Sequence, residues 1–238
     1  MAASALRALL DLLLPSTCGG CTTPGPGWCA ACDATLGAPL RPRLPGVPPL
    51  VAVGRYAGPL RAALLGYKER NRRDLTDALA ALLTSTLCAE WAVPTAAPGE
   101  PVWLVPVPSR PAAARARGGD HMLRLTRVVT AELGSAGHRA VVAPALRMRR
   151  GGQDSVGLSA ADRTANLAGR MWVHRPAAPP AGGPVVLVDD VVTTGATLRA
   201  AAAALGVCGV CPRTAVVLCS ATGSSQSGCS VRGSVAEP

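Results

Sequence analysis

One stretch near the C-terminal end constrains the fold of this 238-residue chain more than any other. Four consecutive aliphatic residues, Val185 to Val188, are followed directly by Asp189 and Asp190. Such a run is typical of a strand that is buried on both faces, as in a parallel sheet. A short loop of Thr and Gly residues comes next. After it, apolar residues recur at helical spacing, namely Leu198, Ala201, Ala202 and Leu205. The stretch therefore predicts a buried strand, a tight loop and a helix.

The loop between this strand and this helix has the chemistry of a phosphate site. The N–H groups of a first helical turn, together with the helix dipole, favour an anion. The hydroxyls of Thr193, Thr194 and Thr197 add donors, and Gly195 lets the backbone approach a ligand. Two carboxylates would repel a phosphate, so we expect the acids to face sugar hydroxyls or a hydrated Mg²⁺. The alternative is a buried strand followed by a solvated turn.

This segment closely resembles the phosphoribosyl-pyrophosphate (PRPP) loop of type I phosphoribosyltransferases. In that family the paired acids hold the ribose 2′ and 3′ hydroxyls, and a Thr-Thr-Gly-x-Thr turn binds the 5′-phosphate. The resemblance implies that Asp189 and Asp190 are the catalytic residues and that Mg²⁺ accompanies PRPP. The PRPP site that it implies comprises Asp189, Asp190, Val191, Val192, Thr193, Thr194, Gly195, Ala196 and Thr197.

The composition is that of a folded, basic chain. With 49% hydrophobic and 16% charged residues, the chain can bury a core. Its net charge of +10 suits an anionic substrate or a nucleic acid. No Lys/Arg block is interleaved with aromatic residues, so the direct case for nucleic-acid binding is weak. Lys68 is the only lysine, which indicates either a need for an ammonium group or a chance survivor on the surface.

Two CxxC pairs near the N-terminus predict a closed metal site. Each pair can present two thiolates to one tetrahedral Zn²⁺, and no His lies nearby, so the site would be structural rather than catalytic. The ligands would be Cys18, Cys21, Cys29 and Cys32. Redox thiols or two disulfides are the alternatives. The odd total of nine cysteines and the paired spacing favour a cytosolic metalloprotein over a secreted disulfide framework.

The remaining chemistry-bearing residues give weaker signals. Most of the other cysteines are interpreted as buried small hydrophobes and one as a tail thiol, with a second metal site as the alternative: Cys208, Cys211, Cys219 and Cys229. The three histidines are poor catalytic candidates, because His121 and His138 are predicted on a helix surface and His174 adjoins a linker.

The order of predicted elements indicates an α/β fold. Strands and helices alternate from residue 102 to 218, which predicts a parallel sheet with helices on both faces and a ligand at the carboxyl ends of the strands. Residues 3–14 predict an amphipathic docking helix that is too short to span a membrane, with a signal peptide as the alternative. Residues 37–50 are rich in Pro and Gly and predict a linker. The predicted strands are 51–56, 102–108, 141–143, 171–174, a strand from 185, and 214–218.

The whole layout resembles the ComF family, in which a Cys₄ zinc element precedes a phosphoribosyltransferase-like domain. The resemblance spans about residues 5–220, and one departure stands out. After its Arg-Gly pair the family usually has Phe-Asn-Gln, where this chain has Gly119, Asp120 and His121, which bears on base recognition more than on phosphate recognition. The matching segments are Leu12 to Cys18, Tyr67-Lys68, Arg72 to Leu75, Val105 to Pro108, Arg115 to Gly118, and Gln153 to Leu167.

The resemblance implies a domain division and a set of site residues. Residues 1–40 would hold the amphipathic helix and the zinc element, 50–220 the phosphoribosyltransferase-like domain, and 221–238 a disordered tail. The pyrophosphate side of the site would be formed by Lys68, Ser109 and Arg110, with Arg147 or Arg149 as helpers.

Two functions are compatible with this sequence. One is a cytoplasmic enzyme that transfers ribose-5-phosphate from PRPP to an unknown nucleobase or amine acceptor. The alternative is a non-catalytic, PRPP-binding accessory protein that works with competence or DNA-uptake proteins. Both interpretations leave the acceptor open, and a dimer is one option for the oligomeric state.

Overall fold

The structure is a computed structural model that describes residues 17–90, 100–109, 119–149 and 170–222. Two short 3₁₀ turns, Arg73–Leu75 and Arg175–Ala177, accompany the regular elements. The helices in the described ranges are α1 (Ala30–Asp33), α2 (Gly58–Glu69), α3 (Thr76–Glu90), α4 (His121–Ser135) and α5 (Ala196–Gly206). The strands are β1 (Leu50–Arg55), β2 (Val102–Pro106), β3 (Ala140–Val142), β4 (Leu146–Met148), β5 (Met171–Val173), β6 (Val185–Val192) and β7 (Pro212–Ser220).

A five-stranded sheet forms the centre of the fold. Its order is β1-β7-β6-β2-β3, and every neighbouring pair is parallel. The register places Val188 of β6 between Pro106 of β2 and Val216 of β7. The predicted parallel α/β sheet is therefore confirmed, and β6, which carries the two acids, lies at its middle.

The side chains of β6 alternate between two apolar layers, as the period of a strand requires. Val186 and Val188 pack with α2, α3 and α4 on one face of the sheet. Val185 and Leu187 pack with α5 on the other face. Because both faces are covered, β6 is an almost continuous aliphatic run instead of an alternating one.

The direction in which the chain adds successive strands to the sheet reverses between β2 and β6, although these two strands are parallel. From β2 the chain passes through α4 to β3 at one edge, whereas from β6 it passes through α5 to β7 on the opposite side. In open α/β sheets such a switch point leaves a crevice at the carboxyl ends of the two diverging strands, where ligands bind. The topology therefore places a ligand crevice beside the end of β2 and the acids of β6.

One predicted strand lies outside the main sheet. The strand expected at 171–174 is β5, which pairs antiparallel with β4 as a separate two-stranded sheet. The pair packs against α5, because Leu146 and Met171 are buried with Leu198 in one apolar cluster. The short length of both strands leaves little pattern from which the pairing could be predicted.

Several sequence predictions concern residues outside the described ranges. They are the helix at 3–14, Arg110 and the segment Arg115 to Gly118, the segment Gln153 to Leu167, Cys229 and residues 223–238 of the tail.

Substitution of Leu187 tests the burial of β6. Leu187 is 0% exposed, so Leu187→Ala removes a packed side chain and leaves a cavity. We expect the free energy of unfolding to fall by about 2–5 kcal/mol, measured by urea denaturation. Val207→Ala is the control, because Val207 is 81% exposed and its truncation should change stability by less than about 0.5 kcal/mol. Equal effects of the two variants would contradict the burial of β6.

Candidate functional site

The carboxylate of Asp190 lies at the centre of a group of polar side chains in the crevice. Its Oδ2 atom is 2.8 Å from Lys68 Nζ and 2.8 Å from His121 Nε2. Lys68 comes from the last turn of α2, and His121 is the first residue of α4. One carboxylate oxygen of β6 thus joins two helices that pack on the same face of the sheet.

His121 extends this network to the end of β2. Its Nδ1 atom is 2.8 Å from the hydroxyl oxygen of Ser109, which lies just beyond the last residue of β2. Tyr67 holds the histidine from a third side, because its hydroxyl donates to the His121 carbonyl at 3.1 Å and the two rings pack edge to face. The result is a chain of polar contacts that runs from Ser109 through His121 to Asp190.

The prediction that His121 lies on a helix surface is wrong. The residue is only 4% exposed, because it begins α4 at the point where that helix meets the sheet. Asp120 caps the helix by accepting hydrogen bonds from the N–H groups of Met122 and Leu123. Two of the three residues that differ from the family pattern at 119–121 therefore have clear structural roles. Asp120 is the helix cap, and His121 is a buried imidazole. An Asp immediately before an apolar helical pattern was the signal that could have placed His121 at a helix start.

The two neighbouring acids have opposite protonation preferences. Burial and the negative charge of Asp190 raise the pKa of Asp189 well above its usual range, which favours the neutral acid. Burial also raises the pKa of Asp190, but the hydrogen bond from His121 and the ammonium group of Lys68 outweigh burial. The net pKa of Asp190 is below its ordinary value. Asp189 Oδ1 accepts a hydrogen bond from the Asp190 N–H at 2.8 Å, which fixes their relative orientation.

The loop after β6 has the form expected of an anion-binding turn. Thr193 and Thr194 are exposed and Thr197 is half-buried, so hydroxyl groups line the start of α5. Gly195 has a φ of 75°, a left-handed conformation that favours glycine. A Cβ added there would lie 2.7 Å from Val47 Cγ2, so the predicted linker packs directly against the loop.

Arg199 fastens the linker and the loop together. Its guanidinium donates to the Thr194 carbonyl at 2.9 Å and to the Pro45 carbonyl at 3.3 Å. Residues 44–47 therefore pack against the threonine loop and support it, a role that their Pro and Gly content did not predict.

Neither Arg147 nor Arg149, the arginines predicted to assist on the pyrophosphate side, contacts the group of polar side chains around Asp190. Arg147 is exposed and donates to the carbonyls of Pro144 and Leu146 beside β4. Arg149 is exposed as well, and Arg110 lies outside the described residues. Lys68, which is predicted on the pyrophosphate side, contacts Asp190, one of the two acids predicted to bind the ribose.

The acid pair in the crevice does not form a preorganised Mg²⁺ site. Asp190 already binds an ammonium and an imidazole on one oxygen, and Asp189 favours its neutral form. Mg²⁺ prefers charged oxygen ligands and retained water molecules. A magnesium ion would therefore need the phosphate oxygens of a substrate for its ligands, and no protein ligand for it is assigned.

The four N-terminal cysteines, in contrast, fit a metal ion well. Their sulfur atoms all lie within 4.8 Å of one another, and the Cys18–Cys32 and Cys21–Cys29 sulfur pairs are 3.6 and 3.7 Å apart. A tetrahedral zinc with Zn–S bonds of about 2.3 Å separates its sulfurs by roughly 3.8 Å. Burial raises the pKa of Cys18, but the nearby backbone N–H groups of Cys21, Gly20 and Cys29 lower it to about 6, which favours the thiolate. Burial and the neighbouring cysteines raise the pKa of Cys32, so a metal ion would have to displace the proton of that thiol.

The cysteine cluster docks onto the same helix that carries Lys68. A Cβ added at Gly19 would lie 2.8 Å from Leu75 and 3.1 Å from Ala63 of α2, so the first CxxC turn can approach only because it contains glycine. Arg72 Nη2 donates to the Thr17 carbonyl at 2.8 Å, and the same guanidinium binds Asp74. The predicted basic turn therefore contacts the cysteine element.

The later cysteines do not form a second cluster within the described residues. The only group of three or more potential ligands found there is the N-terminal one. Cys219 is buried in β7, where burial and the charge of Asp190 raise its pKa to about 12, so it behaves as a small apolar residue. Cys211 is exposed, which differs from the expected burial.

A cavity of about 520 Å³ lies at the opposite edge of the sheet. It opens at the amino ends of the strands, where Leu50, Val102 and Val185 line it together with Arg43 and Arg213. Ligands of parallel α/β sheets bind at the carboxyl ends, which is also where the acids and the threonine loop lie. We therefore place the functional site in the carboxyl-end crevice.

Comparison with known proteins defines the class of this domain. Residues 137–227 match the family described as the phosphoribosyl transferase domain. The match includes the acid pair and the threonine loop, whereas Lys68, Ser109 and His121 lie outside it. A search of curated proteins found no match. The chain thus contains a phosphoribosyltransferase-like domain, and its sheet has the parallel architecture expected of one.

Two solved structures with similarity to this chain are hypoxanthine phosphoribosyltransferases. The enzyme from Trypanosoma cruzi is 16% identical, with 64% of this chain and 69% of that chain covered and a TM-score of 0.35. The enzyme from Staphylococcus aureus is 14% identical, with 60% of each chain covered and a TM-score of 0.31. This chain thus spans less than two thirds of the Staphylococcus enzyme. Similarities of this size carry no argument about substrate.

Within the described residues, no helix combines the length and apolar character that crossing a membrane requires.

Metal analysis of the purified protein tests the cysteine cluster. We expect one zinc ion per chain by mass spectrometry of the metal, and loss of that ion in Cys18→Ser/Cys32→Ser, because two buried ligands are removed. Cys208→Ser is the matched control, since Cys208 lies outside the cluster, and it should keep the metal. Zinc retained by the double variant would contradict the assignment.

Substitution of Asp189 tests its raised pKa. An acid whose pKa is higher in the folded state costs stability as pH rises from its unfolded pKa of about 3.9 through the folded value. Asp189→Asn should therefore be more stable than the wild type at pH 8, with a difference that shrinks toward pH 4, measured by urea unfolding. Asp77→Asn is the control for the substitution itself, because the carboxyl group of Asp77 is exposed and its replacement relieves no burial of a charge. If the stability difference between Asp189→Asn and the wild type grew toward low pH instead, the pKa of Asp189 would not be raised in the folded protein.

Proposed function

We propose that this chain is a PRPP-binding, phosphoribosyltransferase-like protein of the ComF type that transfers ribose-5-phosphate to a nitrogenous acceptor. One observation carries the proposal. The acid pair and the Thr-Thr-Gly-x-Thr loop lie together at the carboxyl end of β6, beside the switch point of the sheet and inside the matched segment. This arrangement offers acceptors for sugar hydroxyls next to donors for a phosphate.

The chemistry of each group supports a separate role. The N–H groups at the start of α5 and the hydroxyls of Thr193, Thr194 and Thr197 would bind the 5′-phosphate. Asp190, held as a carboxylate, would accept hydrogen bonds from the ribose hydroxyls, and Asp189, which favours its neutral form, can both donate and accept. The crevice between β2 and β6 would then hold the anomeric carbon of PRPP.

The leaving pyrophosphate needs cations. Lys68 is a cation that contacts the acid pair, with its Nζ atom 2.8 Å from Asp190 Oδ2, and Ser109 adds a hydroxyl group after the end of β2. Mg²⁺, bound through the phosphate oxygens, would neutralise further charge on the leaving group. Arg110 follows Ser109 in the sequence and is proposed for the same side.

The wider assignments are also proposals. We propose zinc as the metal of the cysteine cluster, a cytoplasmic location, and a division of the chain into the cysteine element (1–40), the transferase-like domain (50–220) and a tail (221–238). The acceptor would be a nucleobase or an amine.

A non-catalytic role in DNA uptake is the second candidate, and one observation favours it. In this structure, one oxygen of Asp190 is already bound by both Lys68 and His121. A substrate hydroxyl that bonds to this oxygen would share it with both partners, an arrangement that suits a protein that binds PRPP without fast turnover. Pyrophosphate release in the presence of a nucleobase panel supports the enzyme, whereas binding to DNA or an uptake protein without release supports the accessory role.

Calorimetric titration of PRPP with Mg²⁺ into the zinc-loaded full chain tests the proposed site. We expect micromolar binding, weakened roughly 100-fold or more in Asp189→Asn/Asp190→Asn, because hydrogen bonds to charged groups contribute about 1.5–3 kcal/mol each. Asp77→Asn should bind like the wild type. Circular dichroism verifies that the double variant is folded, and absence of binding to the wild type would reject the proposed function.

A further inference from the structure

The threonine loop between β6 and α5 (residues 193–195) is bound from outside by an arginine to which the proposed reaction gives no role. Arg199 lies in the first turn of α5, and its Nη1 atom donates to the Thr194 carbonyl at 2.9 Å and to the Pro45 carbonyl at 3.3 Å. A guanidinium Nη atom carries two hydrogens, so it can bind both carbonyls at once. Arg199 thus joins the loop to a segment that is 154 residues away in the chain.

Apolar packing encloses the same loop. Gly195 has a left-handed φ of 75°, and a Cβ there would lie 2.7 Å from Val47 Cγ2 and 3.0 Å from Leu44 Cδ1. The aliphatic stem of Arg199 packs in turn on Gly46, where an added Cβ would lie 3.2 Å from Arg199 Cδ. Residues 44–47 and the arginine therefore contact the loop together, one through methyl groups and the other through a hydrogen bond.

The segment 44–47 is itself fixed to the main sheet on both sides. Before it, Leu40 exchanges two backbone hydrogen bonds with Ala52 of β1, at 2.9 and 2.8 Å. After it, the Pro49 carbonyl accepts a hydrogen bond from the Ala215 N–H of β7 at 2.8 Å. A segment that is held at both ends can serve as a fixed support for the loop.

The loop has little local support of its own. Gly195 occupies the N-cap position of α5, and no side chain caps the helix there. The Ala196 N–H has only a long contact of 3.4 Å with the Thr194 hydroxyl. Donors that are already oriented bind an anion more tightly than donors that must first be ordered, because ordering a loop on binding costs free energy. The support from Arg199 and residues 44–47 therefore bears on how tightly this loop binds a phosphate.

We propose that Arg199 is a positioning residue that, together with residues 44–47, holds the threonine loop in the conformation that receives the 5′-phosphate. This inference rests on the proposed function and deepens it, because it names what sets the affinity for the phosphate monoester. Arg199 acts through the Thr194 carbonyl and not on the phosphate itself. Its loss should therefore affect ligands that carry a 5′-phosphate and spare pyrophosphate bound on the side of Lys68.

Two calorimetric titrations of the zinc-loaded full chain test this selectivity, one with ribose 5-phosphate and one with pyrophosphate and Mg²⁺. We expect Arg199→Ala to bind ribose 5-phosphate roughly tenfold more weakly, since a charge-assisted hydrogen bond to the loop is lost, and to bind pyrophosphate like the wild type. Arg199→Lys should recover part of the affinity, because an ammonium can still donate to a carbonyl. Arg127→Ala removes the same charge from an exposed position of α4 and should leave both affinities unchanged.

A pair of glycine variants separates positioning from stability. Gly46 and Gly137 both have left-handed φ values, 69° and 86°, so an alanine strains the backbone at either position. The new Cβ of Gly46→Ala has to shift the Arg199 stem, whereas no atom lies within 4 Å of the Cβ in Gly137→Ala. We expect both variants to lose stability in urea, and only Gly46→Ala to bind ribose 5-phosphate more weakly. Equal effects of the two variants on that affinity would contradict the positioning role.

Amide hydrogen exchange tests the support of the loop without any ligand. In Arg199→Ala we expect faster exchange in peptides that cover 44–47 and 193–199, with the exchange of β1 and β7 unchanged. In Arg127→Ala both regions should exchange like the wild type. If Arg199→Ala left the exchange of both segments unchanged, the arginine would not hold the loop.

The outcomes distinguish the positioning role from the function on which it rests. If the wild type binds PRPP but Arg199→Ala binds ribose 5-phosphate like the wild type, or loses both ligands equally, the positioning role is wrong and the PRPP site stands. If the wild type binds neither PRPP nor ribose 5-phosphate, the proposed function fails, and hydrogen exchange alone decides whether Arg199 holds the loop. Should Arg199→Ala not fold, Arg199→Lys and the glycine pair give the decision.

Discussion

The ion pair between Lys68 and Asp190 is the interaction on which the site depends. A carboxylate that is buried in the middle of a sheet is costly unless it is paired and hydrogen-bonded. Asp190 meets this requirement with an ammonium from α2 and an imidazole from α4, both 2.8 Å from one oxygen. The pair therefore fixes the relative positions of two helices and the central strand, and it keeps the carboxylate charged where a ligand would use it.

The cysteine element acts on the site through α2. Gly19 packs against Ala63 of that helix, and Arg72, just beyond the helix, binds the Thr17 carbonyl. Lys68 lies in the last turn of the same helix. A metal ion bound by the four cysteines would give this small segment, which has few core residues, its rigidity. The position of the ammonium in the crevice thus depends in part on an element that contributes no residue to it.

Much of the fold and part of the site could be predicted from local patterns. The aliphatic run at 185–188, the acids after it and the Thr-Gly loop are adjacent in sequence, so their spacing alone indicates a strand, an acceptor pair and an anion turn. The paired CxxC spacing indicated the cysteine cluster for the same reason. His121 was missed because its partners, Ser109 and Asp190, are 12 and 69 residues away in the chain. No periodic pattern reports such contacts.

The sequence by itself determined the sheet class, the central strand and the clustering of the four cysteines, because each depends on interactions between residues close in the chain. Only the tertiary structure decided that Lys68 pairs with Asp190 and that the imidazole of His121 is buried between two strands. The packing of residues near 44–47 against Gly195 was also decided at that level. These contacts form where strands and helices from distant segments of the chain come together at the carboxyl ends of the strands. Their relative positions are determined by the packing of the whole apolar core.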